Sequence, residues 1–188
     1  IGDGPAALRS AAQSAKHGAK TLLISSSALG SGDKSALDGL AASIQEMNNR
    51  GHREDTIKSG YFLCDQDIVA SKTSSAIDEM NHLEKAGVVF SRDSKGLPST
   101  HKGIGHNSPR LVDAGDASIR DIQQVLEEQC MKYGVVRRSD QLPVMLVETN
   151  QKVDGLVTLD MINGQFVAIQ TKAVIIADGG FEGLFQGT

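Results

Sequence analysis

The sequence predicts an α/β fold in which a central parallel sheet of the Rossmann-like kind is joined to an antiparallel β-meander. Three times, a helical pattern ends at Lys-x-Gly and leads into an apolar strand, at 16–25, 85–90 and 132–136. Glycine in the left-handed cap position ends a helix, and lysine complements the negative C-terminal end of the helix dipole. Strands that alternate with helices in this way favour a parallel sheet.

The individual elements follow from periodicity. Apolar residues at helical spacing predict helices at about 5–17, 67–85 and 117–133. Short apolar runs between turn residues predict the meander strands, at 144–147, 156–159 and 166–169. The pair Asn163-Gly164 predicts a type I′ hairpin turn. The run Ala173–Ala177 predicts a buried parallel strand that returns to the core.

Composition limits the classes of function. The chain has 188 residues, which predicts a single domain. Its 19 basic and 23 acidic residues provide no basic field for nucleic acid. The sequence has no apolar run near the roughly 20 residues of a membrane span, so we expect no direct membrane insertion.

The first seven residues carry the most informative motif, Gly2-x-Gly4-x-x-Ala7. In this dinucleotide fingerprint, the first glycine makes a tight turn and the second lets the backbone approach a diphosphate. The small third residue lets the helix pack closely on the sheet. The alternative is a turn with a structural role alone. The candidate cofactor-binding residues here are Gly2, Gly4, Pro5, Ala6 and Ala7.

Two further segments extend the candidate site. A NAD-binding unit usually places Asp or Glu at the end of its second strand, whereas this strand ends in Ser25-Ser26-Ser27. This difference disfavours NAD without excluding a flavin such as FAD, and the alternative is a polar loop without a cofactor role. Near the end of the chain, an apolar strand leads into a glycine pair. The candidates added by these segments are Ser25, Ser26, Ala177, Gly179 and Gly180.

Four segments, in order along nearly the whole chain, resemble one family. Residues 55–69 resemble the pattern D-T-V-x-G-x-D-W-L-x-x-Q-D-x-V, and 87–92 resemble G-x-P-F-S-R. Residues 154–161 resemble R-G-x-x-A-x-N-M, and 173–180 resemble A-x-x-x-A-T-G-G. The chain is therefore similar to the FAD-binding portion of the succinate dehydrogenase/fumarate reductase flavoprotein family.

The resemblance implies an FAD-dependent oxidoreductase that transfers hydride between flavin and a C4 dicarboxylate. It implies that residues 1–188 form the FAD-binding domain at the N-terminal side of a longer flavoprotein, without its capping domain. The catalytic residues of the family lie beyond the matching segments, so we assign none here. The implied partners are an iron–sulfur electron-transfer subunit and the rest of the flavoprotein. The implied location is cytoplasmic, including a peripheral position on the inner membrane, or the mitochondrial matrix side.

Departures from the family pattern are also informative. The segment R-S-H-T-x-x-A-[QE]-G-G, which attaches flavin in the family, is matched by 31–40, so Asp33 stands where the flavin-linked histidine would be. Aspartate cannot form that bond, and we expect a noncovalent flavin. This segment adds the candidates Ser31, Gly32, Asp33 and Gly39. Leu40 and Asp178 replace a glycine and a threonine of the family, which disfavours tight FAD binding.

Two alternative functions stay open. The departures are compatible with a non-catalytic scaffold subunit, and the fold is compatible with a flavoenzyme resembling aspartate oxidase. A metal site is disfavoured, because His101 and His106 have no Cys or carboxylate at ligand spacing and are predicted to be exposed loop residues.

Overall fold

The computed structural model describes residues 1–28, 39–44, 49–115 and 118–180. The chain divides into two compact units. The first unit comprises Ile1–Lys34 and Leu126–Thr188, and the second comprises Ser35–Val125. None of the described helices is both long and apolar enough to cross a membrane.

Helices and strands are interspersed in the described chain up to residue 138, and the elements described after that are all strands. The helices are α1 (Pro5–Lys16), α2 (Arg50–Ser59), α3 (Gln66–Ala86) and α4 (Ser118–Lys132). The strands are β1 (Leu22–Ile24), β2 (Leu40–Ala41), β3 (Leu111–Val112), β4 (Val136–Arg138), β5 (Gln141–Thr149), β6 (Lys152–Asp160) and β7 (Phe166–Gln170). The three predicted helices are confirmed, as α1, α3 and α4.

Parallel pairing in the first unit forms the predicted sheet. β1 pairs with β4 in parallel, with Leu22 opposite Val136. α1 buries a face of small and aliphatic side chains that permits close packing, formed by Ala7, Leu8, Ala11 and Ala12. The buried thiol of Cys130 donates to the Leu8 carbonyl at 3.3 Å. Burial raises the pKa of this thiol, so Cys130 acts as a small packing residue.

The antiparallel meander is confirmed as the order β5-β6-β7. Asn150 and Gln151, which join β5 to β6, both have a positive φ, as a two-residue type I′ turn requires. The prediction of that turn type at Asn163-Gly164 was wrong. Only Gly164 of the pair has a positive φ, and the Asp160 carboxylate instead accepts the Ile162 and Asn163 N–H groups in a longer connection.

The second unit differs most from the predictions. The strand predicted at 88–90 is absent, although Val88 and Phe90 are buried and Val89 is exposed. The run is apolar as the prediction assumed, but among the described residues no neighbouring segment pairs with it as a β-ladder. α2 was not predicted, because its buried face contains polar residues: His52 and Asp55 beside Ile57. In this unit β2 pairs with β3 in an antiparallel ladder.

Candidate cofactor site

The glycine turn begins in the sheet. The Gly2 N–H donates to the Ile24 carbonyl of β1 at 2.9 Å. On the other side, the Ile1 nitrogen donates to the Ile175 carbonyl at 2.8 Å, and the Ala177 N–H donates to the Ile1 carbonyl at 2.9 Å. These bonds place Ile1 between β1 and the segment 175–177, with the pattern of a parallel strand.

Gly2 is required by its conformation and by its neighbours. Its φ is +122°, a region that side-chain-bearing residues rarely adopt. A Cβ at this position would lie 2.1 Å from the Ala177 carbonyl oxygen and 3.1 Å from the Ala7 Cβ. Glycine at this position therefore lets the turn, α1 and the segment at Ala177 lie closer together than a side chain at position 2 would allow.

α1 starts immediately after this turn. Its N-cap is Gly4, at φ −78° and ψ 176°, and no side chain caps the helix. Pro5 occupies the first turn, where its missing N–H and fixed φ suit a helix. The first-turn N–H groups, including those of Ala6 and Ala7, have no acceptor within a helix. A Cβ at Gly4 would meet nothing within 4 Å, so the space beside the N-terminus of α1 is open to an anion.

The two serine candidates differ in their environment. Ser25 is buried, and its Oγ accepts from the Ser27 N–H at 3.0 Å while donating to the Ser27 carbonyl at 3.2 Å. Its backbone also bonds to Arg138 and Gln141. Ser26 is exposed. The Ser25 hydroxyl is thus engaged locally, and Ser26 is the serine with a free surface.

The segment at Ala177 only partly meets its prediction. It forms the backbone bonds to Ile1 described above, but residues 173–177 are not assigned as a strand. The prediction that this run is buried was wrong, since Ile175 and Ile176 are 53% and 59% exposed. Gly179 has a φ of +100° and open space at its Cβ position. Ala177, Gly179 and Gly180 therefore lie in or next to the segment that is bonded to the glycine turn.

The flavin-attachment segment is described only at its end. Ser31, Gly32 and Asp33 lie outside the described residues. In the second unit, Gly39 has a φ of +147°, and a Cβ there would lie 2.5 Å from the Val112 carbonyl oxygen. Packing of the backbone against β3 therefore already requires glycine at this position. A contact of Gly39 with the cofactor stays a prediction.

A buried ion pair holds the second unit together and was not predicted. Arg110, which is 0% exposed, donates from Nη1 to Asp55 Oδ2 at 2.6 Å and to His106 Nδ1 at 2.9 Å. The Asn107 N–H donates to the same Asp55 oxygen at 2.8 Å, and the Asn107 amide donates to Oδ1. Burial alone would raise the pKa of Asp55, but the bonds from Asn107 and Arg110 outweigh it and hold that pKa below its ordinary value.

This ion pair has a consequence for the segment at Gly39. The Arg110 carbonyl accepts the Ala42 N–H at 2.8 Å, beside the β2–β3 ladder. Ser43, the next residue, is buried, and its Oγ has no hydrogen-bond partner in the described part of the chain. The backbone of Arg110 therefore anchors Ala42 beside the β2–β3 ladder. Asp55 and Arg110 are 55 positions apart, and nothing in the sequence shows that they form an ion pair.

The two loop histidines have different surroundings. His101 is partly exposed, and its Nδ1 lies 3.1 Å from Asp113 Oδ2. His106 is half-buried and accepts from Arg110, so the prediction of an exposed residue was wrong for His106. Within the described residues, no group of three or more His, Cys, Asp or Glu is placed to hold a metal ion.

Asp113 should make the second unit sensitive to acid. The Gly115 N–H, the Ser91 hydroxyl and His101 hold the pKa of Asp113 below its ordinary value. A lowered pKa in the folded state adds stability above the unfolded-state value, and this stability is lost as the pH falls through the folded-state value. We expect Asp113→Asn to cost about 1 to 3 kcal/mol at pH 7 and to weaken the loss of stability in acid. Urea unfolding from pH 7 to pH 3 measures both effects, and Asp78→Asn, on an exposed part of α3, should match the wild type.

Taken together, the parallel sheet, the glycine turn and the uncapped helix start define a dinucleotide-binding domain of the Rossmann-like class. The chain matches the family model described as FAD binding domain over residues 1–188. The chain belongs to this family of FAD-binding domains.

The curated relatives include proteins named for different enzyme activities. The fumarate reductase flavoprotein subunit of a Serratia species is 34% identical over 186 residues, covering 96% of this chain and 31% of the relative. The L-aspartate oxidase of Mesorhizobium japonicum is 31% identical over 199 residues, covering 100% of this chain and 37% of the relative. The chain spans about a third of the length of these relatives.

Solved structures agree with the fold. The FrdA chain of Escherichia coli quinol fumarate reductase superposes with a TM-score of 0.85 at 29% identity, covering 95% of this chain and 32% of that one. Sdh1 of Mycobacterium smegmatis superposes with a TM-score of 0.87 at 26% identity, covering 100% of this chain and 35% of that one.

The residues of the first unit fit FAD. The open space at Gly4 and the free N–H groups at the start of α1 suit a diphosphate, which carries negative charge. Asp3, in the same turn, carries a negative charge and does not suit an anion. The Oδ2 atom of Asp3 is buried and has no hydrogen-bond partner among the described residues. The fingerprint accepts any residue at this position. The motif therefore indicated nothing about Asp3, and its charge was the only feature visible in the sequence.

Proposed function

We propose that this chain is the FAD-binding part of a flavoprotein related to fumarate reductase and succinate dehydrogenase, with the flavin held noncovalently. The observation that carries the proposal is the Gly2 turn, which is fixed between β1, Ala177 and α1 and leaves open space at Gly4. The similarity to the Serratia fumarate reductase flavoprotein subunit supports the choice of reaction class.

The residues of this chain have a binding role in the proposal. The N–H groups of Gly4, Ala6 and Ala7 hold the diphosphate at the start of α1, where Pro5 has no N–H to donate. Ser26, Gly179 and Gly180 border it. Bound flavin supplies hydride transfer, with a C4 dicarboxylate as the proposed substrate. The noncovalent state rests on Asp33, which stands where the family has its flavin-linked histidine.

The proposal extends to the rest of the protein. We place the catalytic residues in a capping domain of the longer flavoprotein and name an iron–sulfur electron-transfer subunit as the electron partner. We place the assembly on the cytoplasmic face of a membrane or on the matrix side of the mitochondrial inner membrane. The similarity to flavoproteins of this kind is the support for these proposals.

A second candidate, an aspartate-oxidase-like flavoenzyme, is favoured by the full coverage of this chain in the match to L-aspartate oxidase. The two candidates differ in what reduces the flavin. In the polypeptide that carries this domain, bleaching of the flavin absorbance by succinate supports the first candidate. Bleaching by L-aspartate, and not by succinate, supports the second.

Gly4→Ala tests the diphosphate contact separately from folding. The backbone of Gly4 is in an extended conformation that alanine adopts, and the new methyl group would meet no protein atom within 4 Å. We expect the free energy of unfolding to change by less than about 1 kcal/mol, as for other changes at an N-cap. The affinity for FAD should fall about 10-fold or more, because the methyl group occupies the space of close approach.

The measurement is FAD titration followed by flavin fluorescence, with urea unfolding of the same samples. Gly164→Ala, in the β6–β7 connection, is the matched control and should keep wild-type affinity. Undiminished FAD affinity of Gly4→Ala would place the diphosphate elsewhere.

A further inference from the structure

Asp3 is the one acidic side chain inside the glycine turn. It lies between Gly2 and Gly4, at the entrance to α1. The residue is half-buried, but its Oδ2 atom is inaccessible and accepts no hydrogen bond within the described residues. A buried carboxylate oxygen without a donor is unfavourable, because it has lost water and gained no hydrogen bond.

The elements around the turn supply little neutralising charge. Segment 173–180, bonded to Ile1, contributes Asp178, a second carboxylate. α1 contributes Arg9, whose Nη1 donates to Gln13 Oε1 at 2.8 Å, farther along the helix. β1 and the following Ser25–Ser27 contain no ionisable side chain. On the turn itself, the Ile1 nitrogen donates to the Ile175 carbonyl.

The arrival of a diphosphate changes the balance at Asp3. The N-terminal end of α1 favours one anion, and FAD brings the negative charges of its diphosphate to that end. The Asp3 carboxylate lies in the same turn and carries the same sign of charge, and like charges repel most strongly where little water separates them. Asp3 should therefore oppose the binding of the diphosphate.

We propose that Asp3 sets the affinity of this site for FAD by weakening the binding of the diphosphate. This inference rests on the proposed FAD-binding role of the turn. Removal of the carboxylate should tighten the binding of FAD, and salt, which screens charge repulsion, should reduce the difference.

The test compares FAD dissociation constants at about pH 7.5 in the wild type, Asp3→Asn, Asp3→Ala and the distant control Asp78→Asn, in low and in high salt. We expect Asp3→Asn and Asp3→Ala to bind FAD about 10-fold more tightly than the wild type in low salt, and the difference should shrink in high salt. Asp78→Asn should keep wild-type affinity at both salt concentrations.

The outcomes separate this inference from the function on which it rests. Equal FAD affinity in all four proteins, or weaker binding by both Asp3 variants, would overturn the role of Asp3 and leave the FAD site standing. Absence of FAD binding by the wild type and the Asp3 variants, with native circular dichroism, would overturn the proposed function itself.

Discussion

Asp55→Asn is expected to lower the free energy of unfolding by about 3 to 5 kcal/mol, because it leaves the Arg110 guanidinium charged and buried without its counter-ion. Both side chains are almost completely buried, so solvent cannot replace the lost partner. The Asn107 N–H, which donates to the same carboxylate oxygen, keeps only an amide acceptor. Arg110→Met should produce a loss of similar size, since it leaves the Asp55 carboxylate buried without its cation.

Urea unfolding followed by circular dichroism at pH 7 measures this loss. The matched control is Glu54→Gln, which removes a neighbouring acidic residue of α2 whose ion pair with Arg50 is exposed. An exposed pair on one helix contributes little, so this control should unfold at the wild-type urea concentration. If Asp55→Asn and Glu54→Gln unfold alike, the Asp55–Arg110 pair does not hold the second unit together.

The second large effect is expected from Gly2→Ala, which should destabilise the protein by about 3 kcal/mol or more and abolish FAD binding. Alanine at φ +122° is strained, and its methyl carbon would lie 2.1 Å from the Ala177 carbonyl oxygen. The clash involves backbone on both sides, so no side-chain rotation relieves it. Either the turn at Gly2 or the segment at Ala177 must therefore move, which breaks the backbone bonds between Ile1 and that segment.

Gly164→Ala separates the effect of the backbone conformation from the effect of the close contact at Ala177. Gly164 also has a positive φ, of +72°, but a Cβ there would meet nothing within 4 Å. This control should cost about 1 to 2 kcal/mol, from the backbone conformation alone, and should retain FAD binding. Thermal and urea unfolding give the stabilities, and flavin fluorescence gives the binding. Equal losses for the two variants would show that the close approach at Ala177 is not what requires Gly2.

The sequence was sufficient where one local rule decides the structure. Periodic apolar residues and Lys-x-Gly ends located α1, α3 and α4, and short apolar runs between turn residues located the meander strands. The glycine turn was also readable, because the spacing of Gly2, Gly4 and Ala7 reflects contacts within the turn itself.

The sequence did not predict the structure where contacts between distant residues determine it. α2 was not predicted because its buried face includes Asp55, whose partners Asn107 and Arg110 lie more than 50 positions away. Residues 88–90 alternate like a strand, yet strand formation needs a neighbour that local pattern does not reveal. Gly39 was read as a cofactor residue, and the structure adds a packing reason in its approach to Val112.

The most direct test of the central claim is the absorbance spectrum of the purified protein, after incubation with FAD and gel filtration, before and after acid precipitation. Noncovalent FAD binding predicts a yellow protein whose flavin is released entirely into the supernatant. Flavin that stays with the precipitate would contradict the noncovalent attachment inferred from Asp33. A colourless protein that retains no FAD would contradict the flavin site and favour the scaffold alternative.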